Sequence, residues 1–283
     1  MNMKRTGSVL SKLMALAAIP ALGLAVYLAA RTTAEAKPTV DSEIKIVRLD
    51  PRFDQLVPRD AKLEKIVDGY KWVEGPVWNR KGGFLLFSEI PSNSIYRWKE
   101  GEGVSLFLRP SGYTGTAPFT GPEPGSNGLI FDALGRLLLC EHGNRRIARL
   151  EADGKKTTLA DRYEGKRLNS PNDLVFKSNG DLYFTDPPFG LPKAADDPRK
   201  ELPFQGVYRL SKDGKLTLLT KDLKFPNGIG FSPDEKTLYI SNAEKTNAVW
   251  LAFEVKGDGT LGKSRVVFDG TEWLKTGKGV RTG

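Results

Sequence analysis

The sequence predicts an all-β fold, a β-propeller of repeated short-strand sheets, and three observations carry that prediction. First, four segments repeat one theme: Glu74-Gly75-Pro76, Ser126-Asn127-Gly128, Pro171-Asn172-Asp173 and Pro226-Asn227-Gly228. Each precedes an apolar stretch with strand patterning, a turn containing Gly or Asp, and a further strand. Second, Glu74, Asn127, Asn172 and Asn227 recur at intervals of 53, 45 and 55 residues, the spacing of a blade of three or four strands. Third, the 283 residues include 30 glycines and 18 prolines. Beyond residue 50 no long apolar repeat has helical spacing.

The elements follow in chain order. Lys4, Arg5 and Lys12 precede an apolar run of 18 residues, Leu13 to Ala30, and Ala34-Glu35-Ala36 supplies a small-x-small cleavage pattern. Residues 1–36 therefore read as a signal peptide or a membrane anchor, which implies export to the periplasm or attachment to the inner membrane through residues 13–30. Residues 37–60 are charged and punctuated by proline, a linker with one short lead-in strand at Lys45 to Leu49. From 61 to 283 the repeat takes over. Glu74 to Trp78 is followed by Gly83 to Ser88 and Ser94 to Trp98; Ser126 to Asp132 is followed by Gly135 to Glu141 and Arg146 to Leu150. Pro171 to Phe176 leads to Asp181 to Asp186 and Gly206 to Leu210, and Pro226 to Phe231 to Thr237 to Asn242 and Ala248 to Phe253. The insertions from Ser111 to Pro124 and from Phe189 to Pro203 are expected over the channel mouth or its rim.

Composition excludes several functions. The net charge of +9 is dispersed among Asp and Glu instead of forming a basic stripe, which argues against nucleic acid as a partner. Cys140 is the sole cysteine and His142 the sole histidine, so neither an internal disulfide, a thiolate cluster nor a His-rich zinc site can form. Ser126, Ser170 and Ser241 lack the pattern of a serine hydrolase.

What remains is a set of oxygen donors. The inner strands of a propeller start at one mouth of its channel, so Glu74, Asn127, Asn172 and Asn227 are expected to converge there. One carboxylate among amides suits a hard divalent cation such as Ca²⁺, and a cation would offset the cost of burying Glu74. His142 reads as a mouth-lining group or as a turn histidine satisfied by backbone. Asp173 is a candidate ring residue or base, or else a carboxylate tied to local backbone. Asp186, before a proline pair, reads as a turn former. Arg167 and Asn169 are polar contacts for an oxygenated substrate, or solvated loop residues.

Taken in order, Glu74-Gly-Pro-Val-Trp78, Asn169-Ser-Pro-Asn-Asp173, Phe184-Thr-Asp-Pro-Pro-Phe-Gly190 and Pro226-Asn-Gly-Ile-Gly-Phe-Ser-Pro-Asp234 resemble the gluconolactonase, senescence marker protein and regucalcin family over residues 60 to 280. The resemblance implies a six-bladed propeller with a divalent cation, usually Ca²⁺, on its axis. It implies Glu74, Asn172 and Asn227 as metal ligands or close neighbours, and Asn127 and His142 as pocket residues. The implied activity is hydrolysis of sugar lactones by water attack on a metal-polarised carbonyl; relatives hydrolyse organophosphates. The family's base lies in a later Pro-Asp-Gly. Here the chain reads Arg281-Thr282-Gly283, so a frameshifted or fragmentary copy is expected, with incomplete last blades and impaired activity. A noncatalytic propeller that binds its ligand without turnover is the alternative.

Overall fold

A computed structural model describes residues 39–40 and 46–276. The expectations for residues 1–36 and for 281–283 lie outside the described residues. Among the described residues no helix is long and apolar enough to cross a membrane.

Ahead of the repeats, β1 (Thr39–Val40) pairs antiparallel with β2 (Glu64–Lys65). The lead-in strand expected at 45–49 is not among the strands: residues 46–49 are without regular structure, and Val47 and Leu49 are exposed. Arg48 holds this stretch to Asp54 and the Val57 carbonyl (2.8 Å each), around the short 3-10 turn Pro51–Gln55.

Four antiparallel sheets of four strands then follow as propeller-like blades. Blade 1 is β3 (Val73–Asn79), β4 (Phe84–Glu89), β5 (Ser94–Lys99) and β6 (Gly103–Leu108). Blade 2 is β7 (Ser126–Phe131), β8 (Leu137–Glu141), β9 (Arg146–Leu150) and β10 (Lys156–Ala160). The short hairpin β11 (Arg162–Tyr163) and β12 (Lys166–Arg167) leads to blade 3: β13 (Leu174–Phe176), β14 (Leu182–Asp186), β15 (Gly206–Leu210) and β16 (Leu216–Thr220). Blade 4 is β17 (Pro226–Phe231), β18 (Thr237–Glu244), β19 (Asn247–Val255) and β20 (Leu261–Asp269), followed by the helical turn α1 (Thr271–Lys275). The innermost strands neighbour one another in chain order, β3 to β7, β7 to β13 and β13 to β17. Among the described residues there are four blades, where the sequence resemblance implies six.

The cores lie between blades, and the two-residue period of a strand explains why. On β8, Leu137 and Leu139 pack with Leu86 and Ile95 of blade 1, whereas Leu138 and Cys140 pack with Leu182, Phe184 and Tyr208 of blade 3. Tyr183, on the opposite face of β14 from Phe184, joins Leu238, Ile240 and Phe253 of blade 4. These two second strands are thus apolar on both faces. Cys140 serves this packing, and burial pushes its thiol well above the ordinary range.

Polar side chains join the blades at equivalent positions. The ladders place Ser88, Cys140, Thr185 and Ser241 at the same step of the second strand. Ser88 Oγ donates to the Asn127 carbonyl (2.8 Å), and Thr185 Oγ1 donates to the Asn227 carbonyl (2.7 Å). Cys140 has no hydroxyl to offer; the Gly128 amide instead donates to the Asn172 carbonyl (2.7 Å). In blade 4, Ser241 Oγ is buried and has no partner among the described residues.

Candidate functional site

Each inner strand of blades 1, 2 and 4 opens with a break in register, at Glu74/Val77, Ser126/Leu129 and Pro226/Ile229. A bulge of this kind turns side chains away from the ladder, and Asn127 and Asn227 fall within it. The step after Glu74 requires glycine twice over. Gly75 has φ +56°, and a Cβ there would lie 2.1 Å from the Asn127 carbonyl oxygen. The glycine lets the first inner strand close on the second.

In blades 1, 3 and 4 a polar residue at or near the end of the second strand fixes the segment entering the inner strand. Glu89 accepts from Lys71 N (3.3 Å), Asp186 accepts from Asn169 N and Ser170 N (2.8 Å each), and Asn242 Oδ1 accepts from Phe225 N (2.9 Å). Asp186 is therefore a turn-holding carboxylate, and burial pushes its pKa up to about 7 against those two donors.

Glu74, Asn127, Asn172 and Asn227 all line one cavity of about 690 Å³. Trp72, Glu123, Phe189, Ala243, Lys245 and the α1 residues Leu274 and Lys275 complete its wall. Asn127 and Asn172 are buried, yet no hydrogen bond engages the side-chain amides of Asn127, Asn172 or Asn227 among the described residues. Glu74 Oε1 accepts from the Trp72 indole at 3.1 Å. Burial raises the Glu74 carboxyl above the ordinary range, the indole opposes that shift, and Glu123 and Asp173 add repulsion that His142 offsets. A carboxylate that is costly to ionise alone, beside three amides without partners, is an oxygen donor set that fits a hard divalent cation. Among the described residues no three His, Cys, Asp or Glu side chains group as a metal site.

The other sequence candidates take different places. His142 is fully buried behind the cavity wall; its Nδ1 meets Glu123 Oε2 at 2.8 Å, and its Nε2 has no partner among the described residues. Its link to the cavity runs through Glu123. Asp173 joins two inner strands: Oδ1 accepts from Leu174 N (2.9 Å) and Oδ2 from Ile229 N (3.0 Å), while burial raises its pKa against both bonds. That geometry matches the backbone-tied reading of this residue. Asn169 is buried, its Nδ2 donating to the Asp186 and Phe204 carbonyls (3.0 and 2.9 Å). Arg167 donates to the Asn144 carbonyl (2.8 Å) and borders a separate, smaller cavity. Sequence reasoning missed Trp72, Glu123 and Phe189 as individual residues. A Glu between two prolines inside a Gly-rich insertion was the available signal for Glu123.

The repeat region is similar in sequence and fold to known proteins. A gluconolactonase of Zymomonas mobilis is 41% identical over 211 residues, which are 73% of this chain and 59% of that protein. A lactonohydrolase of Aspergillus oryzae is 32% identical over 97 residues, 34% of this chain and 22% of that protein. The chain thus spans less than two thirds of the length of these relatives. The solved structure of a Xanthomonas campestris gluconolactonase superposes with a TM-score of 0.68 at 35% identity, covering 81% of this chain and 73% of that one. The sequence profile described as the SMP-30/gluconolactonase/LRE-like region matches residues 72–277, most of the repeat region, and the chain belongs to that family.

Proposed function

We propose that this chain is a lactone hydrolase of the gluconolactonase type, acting on small sugar lactones with a divalent cation, Ca²⁺ by the chemistry of its donors. The observation that carries this reading is the group of three unengaged amides, Asn127, Asn172 and Asn227, facing one cavity with Glu74. Glu74, Asn172 and Asn227 would hold the ion, with Asn127 beside them. When bound, it supplies electrophilic polarisation of the lactone carbonyl and stabilises the charge that develops as water attacks. The Trp72 indole fixes the orientation of Glu74. Glu123 and His142, hydrogen-bonded at 2.8 Å, hold a proton at the cavity wall, and Phe189 gives that wall an apolar face. Lys245 and Lys275 add positive charge to the cavity wall, Lys275 while paired with Glu272 (2.7 Å).

We read the four sheets as blades of a six-bladed ring. Ser241 Oγ, without a partner among the described residues where Ser88 and Thr185 grip the next blade, supports this, as do Tyr239, Trp250 and Val267 exposed on the outer face of blade 4. Export to the periplasm is proposed from the leader-like residues 1–36.

A pH-drop assay on gluconolactone, with chelator and then with Ca²⁺ added back, tests the enzyme reading. Turnover should vanish with chelator and return with Ca²⁺, and Glu74→Gln should lower kcat/KM by about 100-fold or more. Chelator-resistant turnover would remove the metal. Saturable lactone binding without turnover would assign a binding propeller instead.

A further inference from the structure

A second cavity, of about 160 Å³, adjoins the first: Phe189 lines the large cavity and the next residue, Gly190, lines the small one. A Cβ on Gly190 would lie 2.7 Å from His142 Cβ and 2.8 Å from Ser170 Cβ, so the backbone seals closely against blade 2 at this point. Both insertions contribute to the wall, through Tyr113, Phe119 and Thr120 on one side and Leu191 and Arg199 on the other.

Three guanidinium groups border this space: Arg145, Arg167 and Arg199. Arg145 is only 6% exposed. Its Nε donates to the Leu168 and Asn169 carbonyls (2.8 and 3.0 Å) and its Nη1 to the Arg199 carbonyl (2.9 Å). Its Nη2 is buried and has no partner among the described residues. The nearby carboxylates are committed elsewhere. Asp197 takes Arg199 in a two-pronged pair (2.9 and 3.1 Å), and Glu201 accepts from Arg167 N (2.8 Å). Asp186 is held by Asn169 N and Ser170 N. Among the described residues neither Arg145 nor Arg167 has a carboxylate at ion-pair distance.

A guanidinium stays charged at any physiological pH, and a buried charge without a counter-charge is costly. Burial accordingly lowers the pKa of Arg145, with Arg167 and Arg199 adding repulsion and Glu201 and Asp186 partly offsetting it. The planar fork of arginine matches a carboxylate or phosphate. We propose that this cavity is an oxyanion site, in which Arg145 Nη2 and Arg167 bind a carboxylate or phosphate group. Because its walls come from both insertions, the anion also ties together the two loops that flank the lactone cavity.

The test is calorimetric titration of the full chain with inorganic phosphate, and separately with gluconate, at ionic strength held constant with chloride. Phosphate should bind saturably. Arg167→Gln, at a partly exposed position, should weaken it about 10- to 100-fold, the loss of one charge-assisted contact. Arg145→Lys should weaken it similarly by removing the fork while keeping the charge. Glu74→Gln should leave phosphate binding unchanged, so that failure of the lactonase reading leaves this result intact. Binding of phosphate alone would mark a site for free inorganic anion; binding of gluconate with the same Arg167 dependence would mark one for the carboxylate of an organic acid. Absence of saturable binding, indifference to Arg167→Gln, or loss on Glu74→Gln would overturn the proposal.

Discussion

Thr185→Val removes one hydroxyl from the joint between blades 3 and 4 and keeps the side-chain volume. Thr185 is fully buried, its Oγ1 donating to the Asn227 carbonyl at 2.7 Å and accepting from Asp173 N at 3.2 Å. The valine leaves both backbone groups without that partner. Each orphaned buried group costs about 1–3 kcal/mol, so the variant should lose about 2–6 kcal/mol. For a domain of this size that corresponds to a fall in Tm of about 4–24 °C. Urea titration and a thermal scan measure it, with Ser88→Ala as the equivalent change between blades 1 and 2. The two sites share no partner, so the double variant should be additive within about 0.5 kcal/mol. A Tm for Thr185→Val within a degree or so of the parent would refute the idea that these hydroxyls hold the blades together.

Gly75→Ala should cost more than about 3 kcal/mol and sharply reduce soluble yield, because it combines φ +56° with a 2.1 Å clash against the Asn127 carbonyl. Gly83→Ala, at φ +63° but with open space around it, should cost only about 1 kcal/mol; equal losses would refute the close-approach argument. Asp186, with a folded pKa of about 7 against 3.8 for the free group, keeps a proton that the unfolded chain releases. Its contribution therefore lowers stability as pH rises from about 4 to about 7 and is level above that. Asp186→Asn should flatten this slope, read as urea midpoints across that window, at the expense of one acceptor for Asn169 N or Ser170 N.

The convergence of Glu74, Asn127, Asn172 and Asn227 was legible because the repeat fixes where each inner strand begins, and a common fold geometry then places their side chains. Second and third strands were legible for a related reason. Leu137 to Cys140 and Leu182 to Phe184 are apolar on both faces, the mark of strands buried between sheets. The outermost strands were not. Leu216–Thr220 and Lys156–Ala160 are half-covered edges whose pattern is diluted by Thr and Lys. Residues in the aperiodic insertions were hidden as well, since no repeat says which way Glu123 or Phe189 points. Asn169, read from sequence as a substrate contact or a solvated loop residue, is buried. Its amide is turned to the Asp186 and Phe204 carbonyls, a matter of local turn geometry that residue type does not encode.

The hydroxyls between blades have a consequence for what the cavity admits. Asn127 and Asn227 each use one end, the backbone carbonyl, to grip the preceding blade, and turn the other end toward the cavity. Donors carried on separate loops would contract or spread to suit a guest. These are mounted on the joints themselves, so the spacing of the two amides follows the stacking distance of the sheets. Discrimination between a small and a large guest would then be a mechanical property of the packed blades, set by Ser88, Thr185 and Gly75 as much as by the side chains that touch the guest.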